Sequence, residues 1–223
     1  MNSGRRSNRT KRAYHAPQRQ AQAARTRDAI VRAAKDLFEQ RGWTGSTVDA
    51  IAKSAGVSQK TVEAVFGTKA ALLQAAVDYA IRGDVHAVPI AQRESVRRME
   101  AAPDAATMLR LHALHLRTIN ERSARIAWTV EHAAASDPAV RTLWQRMNDN
   151  RALAVAWATQ TLLGKPGRKR GIPRKQVESA FWIALDWGTY RVLTEHAALD
   201  PDQYEAWLRR YYKATFLADA SRS

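Results

Sequence analysis

No cysteine occurs among the 223 residues, so the chain can form neither a disulfide nor a thiolate metal site, which agrees with a reducing compartment. Long apolar runs are also missing. The longest, such as Ala152 to Ala158, fall far short of the ~20 residues that cross a bilayer, so no membrane span is expected. Arg5-Arg6 is followed by polar and basic residues where a twin-arginine export signal would need an apolar stretch, and export is rejected. There is no strict apolar/polar alternation, which argues against sheets, and no internal repeat. The sequence also lacks a glycine-rich phosphate loop, a nucleophile elbow and a His-Glu-x-x-His zinc motif. It is therefore not expected to be an enzyme or to carry a cofactor. Acids are scarce as well: 21 stand against 36 Lys and Arg, for a formal net charge of +15.

That charge is concentrated. Met1 to Arg27 holds eight Arg and Lys, Lys165 to Lys175 holds six, and neither stretch contains an acid, so the two account for all but one of the net charges. Such clustering points to a polyanion, with double-stranded DNA the foremost candidate because neutralised phosphates release counterions. The plainer alternative is a solvated, unstructured tail. A membrane surface fits poorly, since the N-terminal stretch has almost no large apolar residues to insert.

The remainder is 45% hydrophobic over the whole chain and patterned for helices. Ile30, Ala33, Ala34, Leu37 and Phe38 recur at helical spacing until Gly42 ends that helix. Ser46, with Asp49 three residues on, reads as the cap of a second helix, and Thr68 as the cap of a fourth. Between them, Ala55-Gly56-Val57 fits a tight turn, with Ser58 capping a third helix whose Val62 and Phe66 point inward and whose Gln59, Lys60 and Glu63 point outward. Two helices joined this way form a helix-turn-helix, and its second helix fits a DNA major groove.

Beyond Ile81, Pro89 and Pro103 bound a connector that is at most partly helical. Helices are then expected over about Asp104 to Arg122, Ala124 to Ala135, Asp137 to Leu163, Pro173 to His196 and Pro201 to Leu217. The expected fold class is all-α: a three-helix helix-turn-helix head joined to a larger helical bundle. The boundaries read as a basic, unstructured arm over 1–24, the DNA-binding head over 25–72, and a ligand-binding and dimerisation body over 73–223.

The chain resembles the TetR family of bacterial transcription regulators. The resemblance rests on Arg27-Asp-Ala-Ile30, Ala33-Ala34, Leu37-Phe38, Gly42-Trp43, Ser46-Thr47-Val48, Ile51-Ala52, Ala55-Gly56-Val57-Ser58, Thr61-Val62, Phe66, Lys69 and Leu72-Leu73. It covers roughly residues 25 to 75 and implies a cytoplasmic, nucleoid-associated homodimer whose third helices enter successive major grooves, most commonly as a repressor. It also implies a body that binds a small-molecule effector. Carried over by position, Thr47 and Lys69 would touch phosphates, and Ser58, Gln59, Lys60 and Thr61 would lie at base edges or backbone. The chain departs from the family pattern at Lys60, where a small residue is usual, and at Glu63 and Val65, where aromatic or His residues are usual. Glu63 either accepts from a cytosine amino group or pairs with Lys60, and the ion pair is the favoured reading. Arg5, Arg6, Arg9, Lys11 and Arg12 are further DNA candidates, placed to follow a minor groove. A different class of explanation is a nonspecific nucleic-acid binder driven by this arm, with a degenerate head.

In the body, Met108, Trp128, Trp144, Met147, Phe181 and Trp182 suit either an adaptable apolar pocket or a core. Arg151 either binds an acidic ligand or pairs with Glu131 or Asp186. His112 and His115, three apart on one helix, lack the further ligands a metal would need, so packing or exposure is the favoured reading and no metal site is expected. Trp187, Gly188, Tyr204, Trp207, Tyr211 and Tyr212 lie on helices apolar on more than one side. They read as a dimer interface or, alternatively, as deeply buried helices.

Overall fold

The structure, a computed structural model, describes residues 6–84 and 92–218, with side chains from Gln18 onward. Among these residues the regular elements are helical, apart from one antiparallel bridge between Arg168 and Leu217. The chain divides into two compact units, Met1–Tyr79 and Ala80–Ser223.

The first unit holds α1 (Arg6–Gly45), α2 (Val48–Ser54), α3 (Gln59–Phe66) and most of α4 (Lys69–Arg82). Ile30, Ala34 and Phe38 lie one turn apart on α1 and are wholly buried with Ile51, Leu72 and Leu73; Val62 of α3 joins them. Gly42, at φ 67°, interrupts the helix where the sequence places its end. Residues 6–24, which composition assigns to an unstructured arm, continue the backbone of α1 instead. Gln18 to Ala24 is made of Gln, Arg and Ala, all strong helix formers, and extending a nucleated helix costs little.

The second unit contains α5 (Glu94–Glu100), α6 (Ala105–Ala134), α7 (Pro138–Leu163), α8 (Arg174–Ala184), α9 (Trp187–Arg191), a π-helical turn (Val192–His196) and α10 (Pro201–Phe216). At its centre is α6, which packs against α5, α7, α9 and α10. Asp104 caps α6 by accepting from the Thr107 amide at 2.7 Å. Asp200 and Gln203 form a reciprocal capping box at the start of α10. Tyr204, Leu208, Tyr212 and Phe216 recur one turn apart along α10 and are buried in the body core beside Met108 and Phe181.

Two helix boundaries differ from the sequence reading. The segments expected as Asp104 to Arg122 and Ala124 to Ala135 form one uninterrupted α6. The intervening Ser123 is fully buried and gives its hydroxyl hydrogen to the Ile119 carbonyl at 2.9 Å, satisfying it within the helix. Conversely, the helix expected over Pro173 to His196 breaks at Leu185-Asp186, because the Asp186 carboxylate accepts from the Thr189 amide at 2.8 Å and starts a new helix there.

Candidate nucleic-acid interface

The turn between α2 and α3 is built by Gly56 at φ 68°, a left-handed conformation that costs glycine little, and by Ser58, whose side chain accepts from the Thr61 amide at 3.1 Å. Val62 is buried, so its neighbours on the opposite side of α3 face solvent: Gln59, Lys60 and Glu63 are exposed. Eight residues give a rod of about 12 Å, the span of a major groove. Phe66 is half-buried, with the Arg27 guanidinium 4.5 Å from its ring centre.

Several side chains are placed differently from expectation. Glu63 accepts from Gln59 Nε2 at 2.7 Å, one turn back, in place of the ion pair with Lys60. The hydroxyls of Ser58 and Thr61 are 2.8 Å apart and hydrogen-bonded to each other. Thr47, not Ser46, caps α2, accepting from the Ala50 amide at 3.1 Å. Ser46 is buried and points back to α1, its hydroxyl 2.9 Å from the Leu37 carbonyl and 2.8 Å from that of Gly42. Lys69 opens α4, but its ammonium donates to the Trp43 carbonyl at 2.5 Å and lies 4.2 Å from the Trp43 ring centre. Arg5, and the side chains of Arg6, Arg9, Lys11 and Arg12, lie outside the described residues.

The basic stretch Lys165 to Lys175 makes contacts within the body. Lys165 donates to the Glu100 carbonyl at the end of α5, Arg168 to the Leu163 carbonyl at the end of α7, and Lys169 to the Ala214 carbonyl near the end of α10. Arg174 pairs with Glu178 at 2.8 Å. Much of this charge therefore serves carbonyls at helix C-termini, where cations are favoured, and leaves less of it for a polyanion.

In the body, the side chains read as ligand candidates do not gather in one place. Met108, Met147 and Phe181 are buried, the first and last of them in the main core. His112 is buried too; its Nδ1 is 2.8 Å from the Tyr212 hydroxyl, and burial, with a smaller effect from His115, pushes its pKa down to about 3. Trp144 is half-buried, its ring 6.2 Å from that of Trp187. Arg151 resolves to one of its two foreseen partners, Asp186, at 2.6 Å, and its guanidinium lies 5.0 Å from the Trp182 ring and 5.5 Å from the Trp187 ring. Trp128 is exposed, close to His132 and beneath Arg191.

His115 lines a cavity. This half-open cavity, of about 270 Å³, lies between the end of α4, α5 and the middle of α6, and it is also lined by Arg82, Arg93, Arg98 and Arg122. Burial, then the charges of Arg122 and Arg93, lower the His115 pKa to about 4, so this imidazole is neutral near pH 7. Sequence reasoning missed these arginines. The available signal was Leu111, Leu114, His115, Thr118 and Arg122 recurring on one face of α6 opposite the Arg-rich α5. Among the described residues no three His, Asp or Glu side chains converge as a metal site would require, and no helix is long and apolar enough to cross a membrane.

Of the residues expected at a dimer interface, Tyr204 and Tyr212 serve this chain's own interior, while Trp187, Trp207 and Tyr211 are half-buried and Gly188 is exposed. Tyr204 and Tyr212 are fully buried in the body core, leaving no surface for a second subunit. Trp207 and Tyr211 stack on each other against that core, and Trp187 Nε1 donates to Ser123 Oγ at 3.2 Å. A Cβ on Gly188 would come within 2.7 Å of the Asp186 carboxylate, which gives this glycine a reason inside the chain. The exposed large apolar side chains of the body include Leu153, Trp182, Ile183 and Val192.

Residues 30–76 match the family model for "Bacterial regulatory proteins, tetR family", so the resemblance read from the sequence holds for the head. No curated protein matches the chain by sequence. Among solved structures, NalD of Pseudomonas aeruginosa, the secondary repressor of the MexAB-OprM multidrug efflux pump, is 21% identical with a TM-score of 0.67, over 89% of this chain and 99% of that one. A TetR family transcription regulator from Marinobacter aquaeolei is 20% identical with a TM-score of 0.58, over 89% of this chain and 100% of that one. A Saccharomonospora viridis protein in complex with choline is 17% identical with a TM-score of 0.64, over 86% of this chain and 98% of that one. The fold is that of the TetR regulators.

Proposed function

We propose that the chain is a ligand-responsive, sequence-specific DNA-binding transcriptional regulator, a cytoplasmic repressor that acts as a homodimer on a two-fold symmetric operator. The observation that carries this reading is the outward row Gln59, Lys60 and Glu63 on an α3 anchored by the buried Val62, within a head that matches the TetR model. Residues 25–72 form the reading head, with Thr47, Ser58, Thr61 and Lys69 at phosphates, and the arm arginines add contacts in a minor groove. Glu63, steadied by Gln59, is an acceptor suited to a cytosine amino group.

Residues 73–223 bind the effector and pair the subunits. The exposed Leu153, Trp182, Ile183 and Val192 supply the dimer face, because large apolar side chains left at the surface are the ones a second subunit would cover. Choline in the S. viridis structure supports a small-molecule role for a body of this fold.

Selection of bound sequences from a random DNA pool, using the purified full chain, tests the reading. A two-fold symmetric consensus with half-sites about one helical turn apart is the expected result. Enrichment of no consensus, with preference over random DNA lost at physiological salt, would establish arm-driven nonspecific binding in its place.

A further inference from the structure

The cavity at the end of α4 has a lining of unusual charge. Four arginines, Arg82, Arg93, Arg98 and Arg122, line it, and no acidic residue does among the described lining residues. Asp84 lies close by and takes two hydrogen bonds from Arg93, at 2.8 and 3.0 Å. The remaining wall is apolar, formed by Leu111, Leu114 and Ile119. A volume of 270 Å³ corresponds to about nine waters at their share of liquid volume, below the usual range of drug-sized sites. It suits a compact molecule with one charged end.

We propose that this cavity is the effector site and that it takes a small organic acid, its carboxylate among Arg93, Arg98 and Arg122 and its apolar body against Leu111, Leu114 and Ile119. The proposal rests on the reading of the chain as ligand-responsive and adds the chemical class of the ligand. Planar guanidinium forks match a carboxylate in geometry as well as charge, and a partly enclosed site strengthens the bond. Two of these guanidinium groups also hold the C-terminal end of α4, where Arg93 donates to the Arg82 carbonyl at 2.9 Å and Arg122 to the Ile81 carbonyl at 3.1 Å. A bound carboxylate competes with those carbonyls for donors, so occupancy of the cavity loosens the end of α4. The neutral His115 on the same wall would feel the new negative charge, which favours its protonated form.

Calorimetric titration of the full chain with benzoate, its neutral isostere benzamide, inorganic phosphate and choline tests the proposal, with DNA affinity measured under the same conditions. One benzoate is expected per chain, with benzamide and phosphate each at least about tenfold weaker. Arg98→Gln, at an exposed position that leaves the core intact, should weaken benzoate by roughly 10- to 100-fold, as loss of a charge-assisted hydrogen bond implies. In NMR titrations benzoate should raise the His115 pKa. Failure of benzoate to bind, equal affinity for benzamide, tighter binding of phosphate, or undiminished binding in Arg98→Gln would each overturn the proposal. If choline releases DNA while benzoate does not bind, this assignment falls and the ligand-responsive reading stands. If benzoate binds through Arg98 but leaves DNA affinity unchanged, the anion site stands and the ligand-responsive reading falls.

Discussion

His112 shows how a residue's type can be read from sequence while its role cannot. The lack of further ligands beside it favoured packing or exposure over metal binding, but its partner, Tyr212, lies 100 residues away, beyond the reach of any local pattern. Because its folded pKa is depressed to about 3, below the ~6.5 of an unfolded histidine, the unfolded chain takes up the proton first. The stabilisation is therefore complete above pH 6.5 and is lost as the pH falls from there toward 3. Each pH unit in that window costs about 1.4 kcal/mol for this one group. Urea unfolding at pH 7 and at pH 5 should show the loss, and His112→Gln should reduce the pH dependence by one proton's worth. An unchanged dependence in the variant would remove His112 as its source. Ser46 and Thr47 give the same lesson at shorter range. Both are capping residue types, and only the buried approach of Ser46 to the carbonyls of Leu37 and Gly42 decides which of them caps α2.

Whole elements were legible where their signals are local. The turn at Gly56, the break at Gly42, the inward row of α1 and the start of α10 at Pro201 all follow from spacing and side-chain chemistry within one or two turns. Boundaries set by side-chain satisfaction were not, as the continuous α6 across Ser123 and the break at Asp186 demonstrate. Nor was the placement of charge. The loop from Lys165 to Lys175 looks from composition like a partner-binding stretch, whereas its ammonium and guanidinium groups meet carbonyls at the ends of α5, α7 and α10. Replacing Lys165 and Lys169 together by Met should therefore lower the body's stability by about 0.6–2 kcal/mol, the sum of two favourable helix-terminus charges. The slope of DNA affinity against salt should stay as it is in the parent chain. A slope flattened by roughly 0.9 log unit per lost contact would return these lysines to the phosphates.

For the molecule as a whole, the sequence located a helix-turn-helix head and a helical body, but it left open whether Tyr204 and Tyr212 of α10 meet a second subunit or their own core, where both are buried. The i, i+4 rhythm of α10 is the same for a helix buried in its own chain as for one buried against a copy, so periodicity alone could not separate the two. We place the proposed subunit contact at the exposed Ile183 of α8 and Val192 of the π-helical turn. Ile183→Glu would place a charge in that contact, and if the parent chain sediments as the proposed dimer, the variant should sediment as a monomer at the same concentration. A variant that sediments like its parent would exclude this face. The packing of α10 on α6 also bears on how the chain is made. Tyr204 and Tyr212 close over Asn120 and His112, 84 and 100 positions earlier in the chain. At translation rates of about 5–20 residues per second, the inner side of α6 leaves the ribosome on the order of 5–20 seconds before the residues that seal it. For that interval the nascent protein carries a bare oily seam, and this is when chaperones have most to do for it.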